Sequence, residues 1–245
     1  IDICSYVRNN AGYLELLNQE ALTGETPEKL ANSKASRIPQ PDMVFAANNI
    51  CNTILKWYEN FAKELNIPFI CIDMPFNHTM PMTRHTKEYI VGQFQTVIKQ
   101  LEEICGRPFN YEKFYQAQCQ CQRTVYQWNR VASFAQKKPS PLNGFDLFNY
   151  MAMVVVCRSK PYSEITLRRF ADELEEKNRI GKYAFGDAEN EQHRITWEGI
   201  AVWPYLGGTF KELKNEKTVM TGSAYPGMWD FEYIPGDMMS MAETY

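Results

Sequence analysis

The sequence has 245 residues, a formal net charge of −3, 44% hydrophobic and 22% charged residues, the balance of a globular chain with room for one large domain or two smaller ones. So small a negative charge excludes a general electrostatic attraction to nucleic acid or to a membrane surface. The densest apolar run, Met151 to Cys157, is far too short to span a bilayer. The chain opens at Ile1 with no basic-then-apolar leader pattern, and it is expected to be a piece of a longer, cytoplasmic polypeptide. Its 7 cysteines are odd in number and scattered, unlike the framework of a small secreted scaffold; reduced thiols, or thiolates on a metal, fit better.

Three zones follow in chain order: 1–85 α/β, 86–190 helical, and 191–245 α/β again. In the first zone Cys4 to Arg8 opens a helix, and the polar, proline-containing stretch from Thr23 to Pro41 is expected to be a surface loop. Asp42 to Ala47 predicts a short strand, Asn48 and Asn49 a turn, Cys51 to Leu65 a helix with one apolar side, and Pro68 to Asp73 a second strand. Such a β–α–β unit builds a parallel sheet. In the middle zone Tyr89, Ile90, Phe94, Val97, Ile98, Leu101 and Ile104 keep the helical period, stopped by Gly106 and Pro108. Phe114 to Ala132 marks a second amphipathic helix, 144–156 a buried one, and Ser163 to Asn178 a charged one. In the last zone Arg194 to Trp197 and Thr218 to Gly222 are strand candidates, separated by a helix over Trp203 to Leu213 with Pro204 near its start. The expected fold is α/β: two Rossmann- or flavodoxin-like parallel-sheet domains with an intervening helical region.

Cys51 is the most informative position for chemistry. It lies at the predicted carboxyl end of a strand, where open α/β sheets bind ligands, and it opens a helix, whose N-terminus stabilises a thiolate. A small residue packed under the helix is the plainer alternative. Cys4 also opens a helix, with Arg8 one turn on. The remaining cysteines favour structural roles: Cys71 alternates within an apolar strand, Cys105 ends a helix, and Cys157 ends a buried run. Cys119 and Cys121, two apart on a helix, do not face each other. None of His78, His85 and His193 has zinc-pair spacing, and no Walker loop, GxGxxG or GxSxG motif is present. The late aromatics Trp197, Trp203, Tyr205, Tyr225 and Trp229 suit a core or a subunit interface.

Taken in order, Cys4-Ser5-Tyr6-Val7-Arg8, Asn48-Asn49-Ile50-Cys51, Ile72-Asp73-Met74-Pro75-Phe76, His193 to Ile200 and Trp203-Pro204-Tyr205 resemble the D-component family of 2-hydroxyacyl-CoA dehydratases. Benzoyl-CoA reductase subunits share its superfamily, and the late motif looks most like the α-type subunit of 2-hydroxyglutaryl-CoA dehydratase. The resemblance implies a [4Fe–4S] cluster held by three cysteines in each subunit of a heterodimer. Cys4 and Cys51 match the first two ligand motifs, and the third ligand is expected beyond Tyr245. It also implies a hydro-lyase that removes water from an (R)-2-hydroxyacyl-CoA, 2-hydroxyglutaryl-CoA foremost, to give the 2-enoyl-CoA. One electron converts the thioester carbonyl to a ketyl radical anion, the 2-hydroxyl leaves, and the β-proton becomes removable. The implied partners are an acyl-CoA substrate, a second homologous dehydratase subunit and an ATP-dependent iron–sulfur activator protein. A benzoyl-CoA reductase-type subunit and a non-catalytic electron-relay subunit are the alternatives.

Overall fold

The computed structural model describes residues 4–33 and 40–244, so the central part of the stretch expected as a loop before Pro41 lies outside the described residues. The fold is mixed α/β and mostly helical, with two small parallel sheets. It divides into two compact units, Ile1–Phe109 and Asn110–Tyr245. Their boundary falls inside the zone expected to be helical.

In the first unit α1 spans Ser5–Thr23. It stops at Gly24, whose φ of 72° lets its N–H reach the Glu20 carbonyl at 2.9 Å. A short helix α2 (Glu28–Ala31) interrupts the stretch read as loop. Strand β1 (Val44–Ala47), helix α3 (Asn52–Leu65) and strand β2 (Phe69–Ile72) follow. The strands pair in parallel from Val44 against Phe69 to Ala47 against Ile72; a parallel pair requires a crossover, and α3 supplies it. Partners in register share a face, so the buried Val44 and Ala46 lie on one face and the buried Ile70 and Ile72 on the other. Helix α3 packs against β1, and α4 (Arg84–Cys105) against β2. Helix α4 buries Ile90, Phe94, Val97 and Ile98. It begins where the Thr83 hydroxyl accepts the Thr86 N–H at 3.1 Å and ends before Gly106. Tyr89 and Ile104, counted in its apolar stripe by period, are exposed.

The second unit opens with α5 (Tyr111–Ser133), capped by Asn110, and continues through α6 (Asp146–Tyr150), α7 (Ala152–Val155) and α8 (Pro161–Arg179). Strand β3 (His193–Trp197), a 3₁₀ turn at Trp203–Tyr205, α9 (Leu206–Asn215), β4 (Thr218–Ser223), α10 (Ala224–Gly227) and α11 (Met238–Glu243) complete it. Strands β3 and β4 are parallel, with a register shift between Ile195 and Thr196. The single helix expected over 144–156 is corrected to two short ones. Residues 143–145 are tied to β4: the Gly144 N–H donates to Met220 O at 3.1 Å, and Asn143 Nδ2 to Thr218 O at 3.1 Å. The chain therefore leaves the sheet in tight three-residue steps before a full helical turn can form. Nor is the apolar run there wholly buried, since Val155 and Val156 face solvent. The core gathers Trp128, Val131, Phe145, Phe148, Leu167, Leu174, Phe210 and Met220.

Candidate functional site

Two helices of the first unit each start on a cysteine. Cys4 and Cys51 are the N-cap residues of α1 and α3, both in extended conformation. The Cys51 Sγ accepts the Ile54 N–H at 3.4 Å, the place an N-cap oxygen usually takes. The Cys4 side chain makes no capping bond, although its carbonyl accepts the Arg8 N–H at 3.1 Å.

Helices α1 and α3 lie side by side and run the same way. One groove along their seam is lined by Val7 of α1 with Asn52, Thr53 and Lys56 of α3. The next, of 410 Å³, is lined by Asn10, Leu14 and Asn18 with Trp57, Phe61 and Glu64. Residue numbers rise together on both helices, as only a parallel pair allows. The register is pinned by the Trp57 indole N–H, which donates to Asn10 Oδ1 at 2.7 Å across 47 positions. The same step of 47 separates Cys4 from Cys51. The two helices thus touch through a pair of residues equally far along the chain from their cysteines, and packed helix axes stand about 8–10 Å apart. Cys51 is exposed, Cys4 is half-buried, and both thiols are free.

The loop from β1 to Cys51 is held by a polar network at the carboxyl end of the sheet. The Asn48 N–H extends the ladder to Ile72 O at 3.2 Å. Its side-chain oxygen accepts the Met74 N–H at 2.7 Å, and its amide nitrogen donates to Asp73 Oδ1. The second carboxylate oxygen of Asp73 accepts the Tyr89 hydroxyl of α4 at 2.5 Å. That bond to a carboxylate is the main reason the Tyr89 phenol titrates above its usual range. The sequence shows Asn48 as a turn residue and Asp73 as part of a motif, but gives no hint that Tyr89 joins them. Asn10 and Trp57, by contrast, were findable, since each stands six residues after its cysteine.

The other cysteines have local roles. Cys71, expected in the core, is half-buried; burial first, and then the charge of Asp73, raise its thiol pKa. Cys105 is exposed at the end of α4. Cys119 and Cys121 engage different partners, the hydroxyls of Tyr115 and Tyr233. Cys157 bonds the Tyr162 hydroxyl. His78 stacks edge-on to Phe76 at 4.6 Å between ring centres. Of the late aromatics, Trp197, Tyr225 and Trp229 pack against the core of the second unit, whereas Tyr205 is exposed. Among the described residues no three His, Cys, Asp or Glu side chains gather to hold a metal ion, and no helix is long and apolar enough to cross a membrane.

Against known proteins, the family model for 2-hydroxyglutaryl-CoA dehydratase, D-component, matches residues 1–245. The lactoyl-CoA dehydratase subunit alpha of Anaerotignum propionicum is 59% identical, over 100% of this chain and 58% of its own length. The (R)-2-hydroxyisocaproyl-CoA dehydratase alpha subunit of Clostridioides difficile is 39% identical, over 100% of this chain and 56% of its own. The (R)-2-hydroxyglutaryl-CoA dehydratase subunit alpha of Acidaminococcus fermentans is 41% identical, over 80% of this chain and 41% of its own. The chain thus spans little more than half the length of the curated relatives it matches.

Proposed function

The chain belongs to the 2-hydroxyglutaryl-CoA dehydratase D-component family, and from that premise we propose that it forms the cluster-binding part of an alpha-type subunit of a 2-hydroxyacyl-CoA dehydratase. Such an enzyme removes water from a 2-hydroxyacyl-CoA to give the 2-enoyl-CoA. The observation that carries the site is the Asn10–Trp57 bond between two helices, each capped by a cysteine. Cys4 and Cys51 are two ligands of a [4Fe–4S] cluster. The donor set fits: two free thiols, each at the N-cap of a helix, are soft sulfur donors of the kind that hold iron–sulfur clusters. A further ligand comes from outside the described residues. When bound, such a cluster supplies low-potential electrons. The chain's own part is to present the two sulfurs at the N-terminal ends of neighbouring helices. We read the two parallel strand pairs as parts of two Rossmann- or flavodoxin-like sheets. The partners are a homologous second subunit and an ATP-dependent iron–sulfur activator. The 59% identity to a lactoyl-CoA dehydratase subunit favours a short acyl chain.

The test is the full-length subunit, made with its partner subunit without oxygen. Iron and sulfide content, visible absorption, and dehydration of lactoyl-CoA, 2-hydroxyglutaryl-CoA and benzoyl-CoA with activator are the readouts. Cys4→Ser and Cys51→Ser should each deplete iron from this subunit and abolish turnover. Full iron content in both variants would overturn the ligand assignment. Ring reduction without dehydration would move the protein to the reductase branch. An intact cluster with no spectral response to any acyl-CoA would leave it an electron relay.

A further inference from the structure

We propose that Asp73 is the positioning residue for Cys51, acting through Asn48 and braced by Tyr89; this rests on the reading of Cys51 as a cluster ligand. The loop that carries Cys51 needs such a fastening. Ile50 is 69% exposed, so apolar packing does not anchor it, and Asn49 and Cys51 are exposed as well. The side chain fixing the start of this loop is Asn48, three residues before the thiol. Its orientation is determined by its partners. The Met74 N–H can only donate, so it requires the Asn48 oxygen at 2.7 Å. The Asn48 amide N–H₂ must then find an acceptor, and Asp73 Oδ1 provides it. Asp73 is fixed in turn, because its other oxygen accepts the Tyr89 hydroxyl from α4 at 2.5 Å. One carboxylate thus joins the end of β1, the end of β2 and the face of α4. It accepts two hydrogen bonds of the charge-assisted kind, which are stronger than neutral ones.

The chemistry separates hydrogen bonding from charge. In Asp73→Ala both acceptors vanish. In Asp73→Asn the amide oxygen still accepts from Asn48 while the new N–H₂ donates to the Tyr89 oxygen, so the geometry survives without the charge. In Tyr89→Phe the carboxylate keeps Asn48 but loses its own brace.

The experiment uses the full-length subunit in complex with its partner. Amide hydrogen exchange is followed by mass spectrometry on peptides covering 48–56, with 111–133 as an internal control against global unfolding. Iron release to a chelator is timed in parallel. Asp73→Ala should accelerate both exchange in 48–56 and iron release by about tenfold or more, the scale of a lost charge-assisted bond. Tyr89→Phe and Asp73→Asn should both fall between, the second because it keeps both bonds but makes them neutral. Unchanged exchange in Asp73→Ala overturns the proposal, as does accelerated exchange with unchanged iron release. Asp73→Asn as damaging as Asp73→Ala would also overturn it, by assigning the effect to charge. If the parent complex holds no iron, the ligand assignment fails by itself, while the exchange arm still decides whether the brace exists.

Discussion

Replacing Gly144 by alanine should destabilise the second unit by about 2–4 kcal/mol. The reason is close approach, not backbone freedom. A Cβ on Gly144 would stand 2.2 Å from Met220 O, 3.0 Å from Met220 C and 3.1 Å from Met220 Cε. The nearest of these is backbone in the middle of β4, and Met220 is fully buried. It cannot swing away as a side-chain tip could. Moving it drags Ile195, its register partner on β3, and strains the Gly144 N–H bond to the same carbonyl at 3.1 Å. Overpacking of this kind costs about 1–3 kcal/mol, and the lost backbone bond about another 1. For a unit of this size each kcal/mol lowers the melting temperature by about 3–4 °C, so a fall of roughly 10 °C is expected. Differential scanning calorimetry reads it directly. Gly92→Ala on α4 is the matched control: nothing lies within 4 Å of its added carbon, and removing a helical glycine gains about 0.5–1 kcal/mol. A Gly144→Ala melting temperature within 2–3 °C of the parent would refute the reasoning, because the β4 contact would then be free to relax.

Two further outcomes are expected. Asn10→Ala removes the acceptor of the Trp57 indole N–H, which should cost about 1–2 kcal/mol in a urea titration and loosen the helix pair. An unchanged midpoint would mean that the bond does not set the register. Tyr233 is pushed up to about 12, first by burial and then by the neighbouring Cys121. Its folded value lies above the ordinary value of about 10, so its contribution to stability is complete below about pH 10 and is lost as pH rises through about 12. A tyrosinate absorbance titration should show a phenol ionising near 12 that is absent from Tyr233→Phe; identical curves for parent and variant in that range would contradict the burial argument.

The first zone was legible because local and global signals agree there. Val44 to Ala47, the helix after Cys51 and Phe69 to Ile72 form the expected parallel unit, since short apolar runs broken by Asn and Pro leave few other choices. The stretch 144–156 was not legible. Its apolar period is sound, but tertiary bonds from Asn143 and Gly144 to β4 override it, and no local pattern announces a bond to residues 75 positions away. Tyr89 misled in the same way. Its spacing fits the apolar stripe of α4, yet its hydroxyl turns to Asp73 at the sheet end. Period reports which side of a helix a residue occupies, not which atom does the work.

The proposed pairing of Cys4 and Cys51 has an electrostatic consequence. As cluster ligands on neighbouring helices, two sulfur anions about 8–10 Å apart would repel by about 2 kcal/mol at the effective dielectric of a protein surface. Each helix N-terminus returns about 0.3–1 kcal/mol to a negative charge beside it. The two N-termini together offset part of that repulsion, and under the proposal the positive charge of the cluster iron would supply the remainder. An antiparallel arrangement would set one thiolate beside a helix C-terminus, where the sign reverses. The Asn10–Trp57 bond between α1 and α3 is therefore the contact on which the proposed pairing of the two cysteines rests.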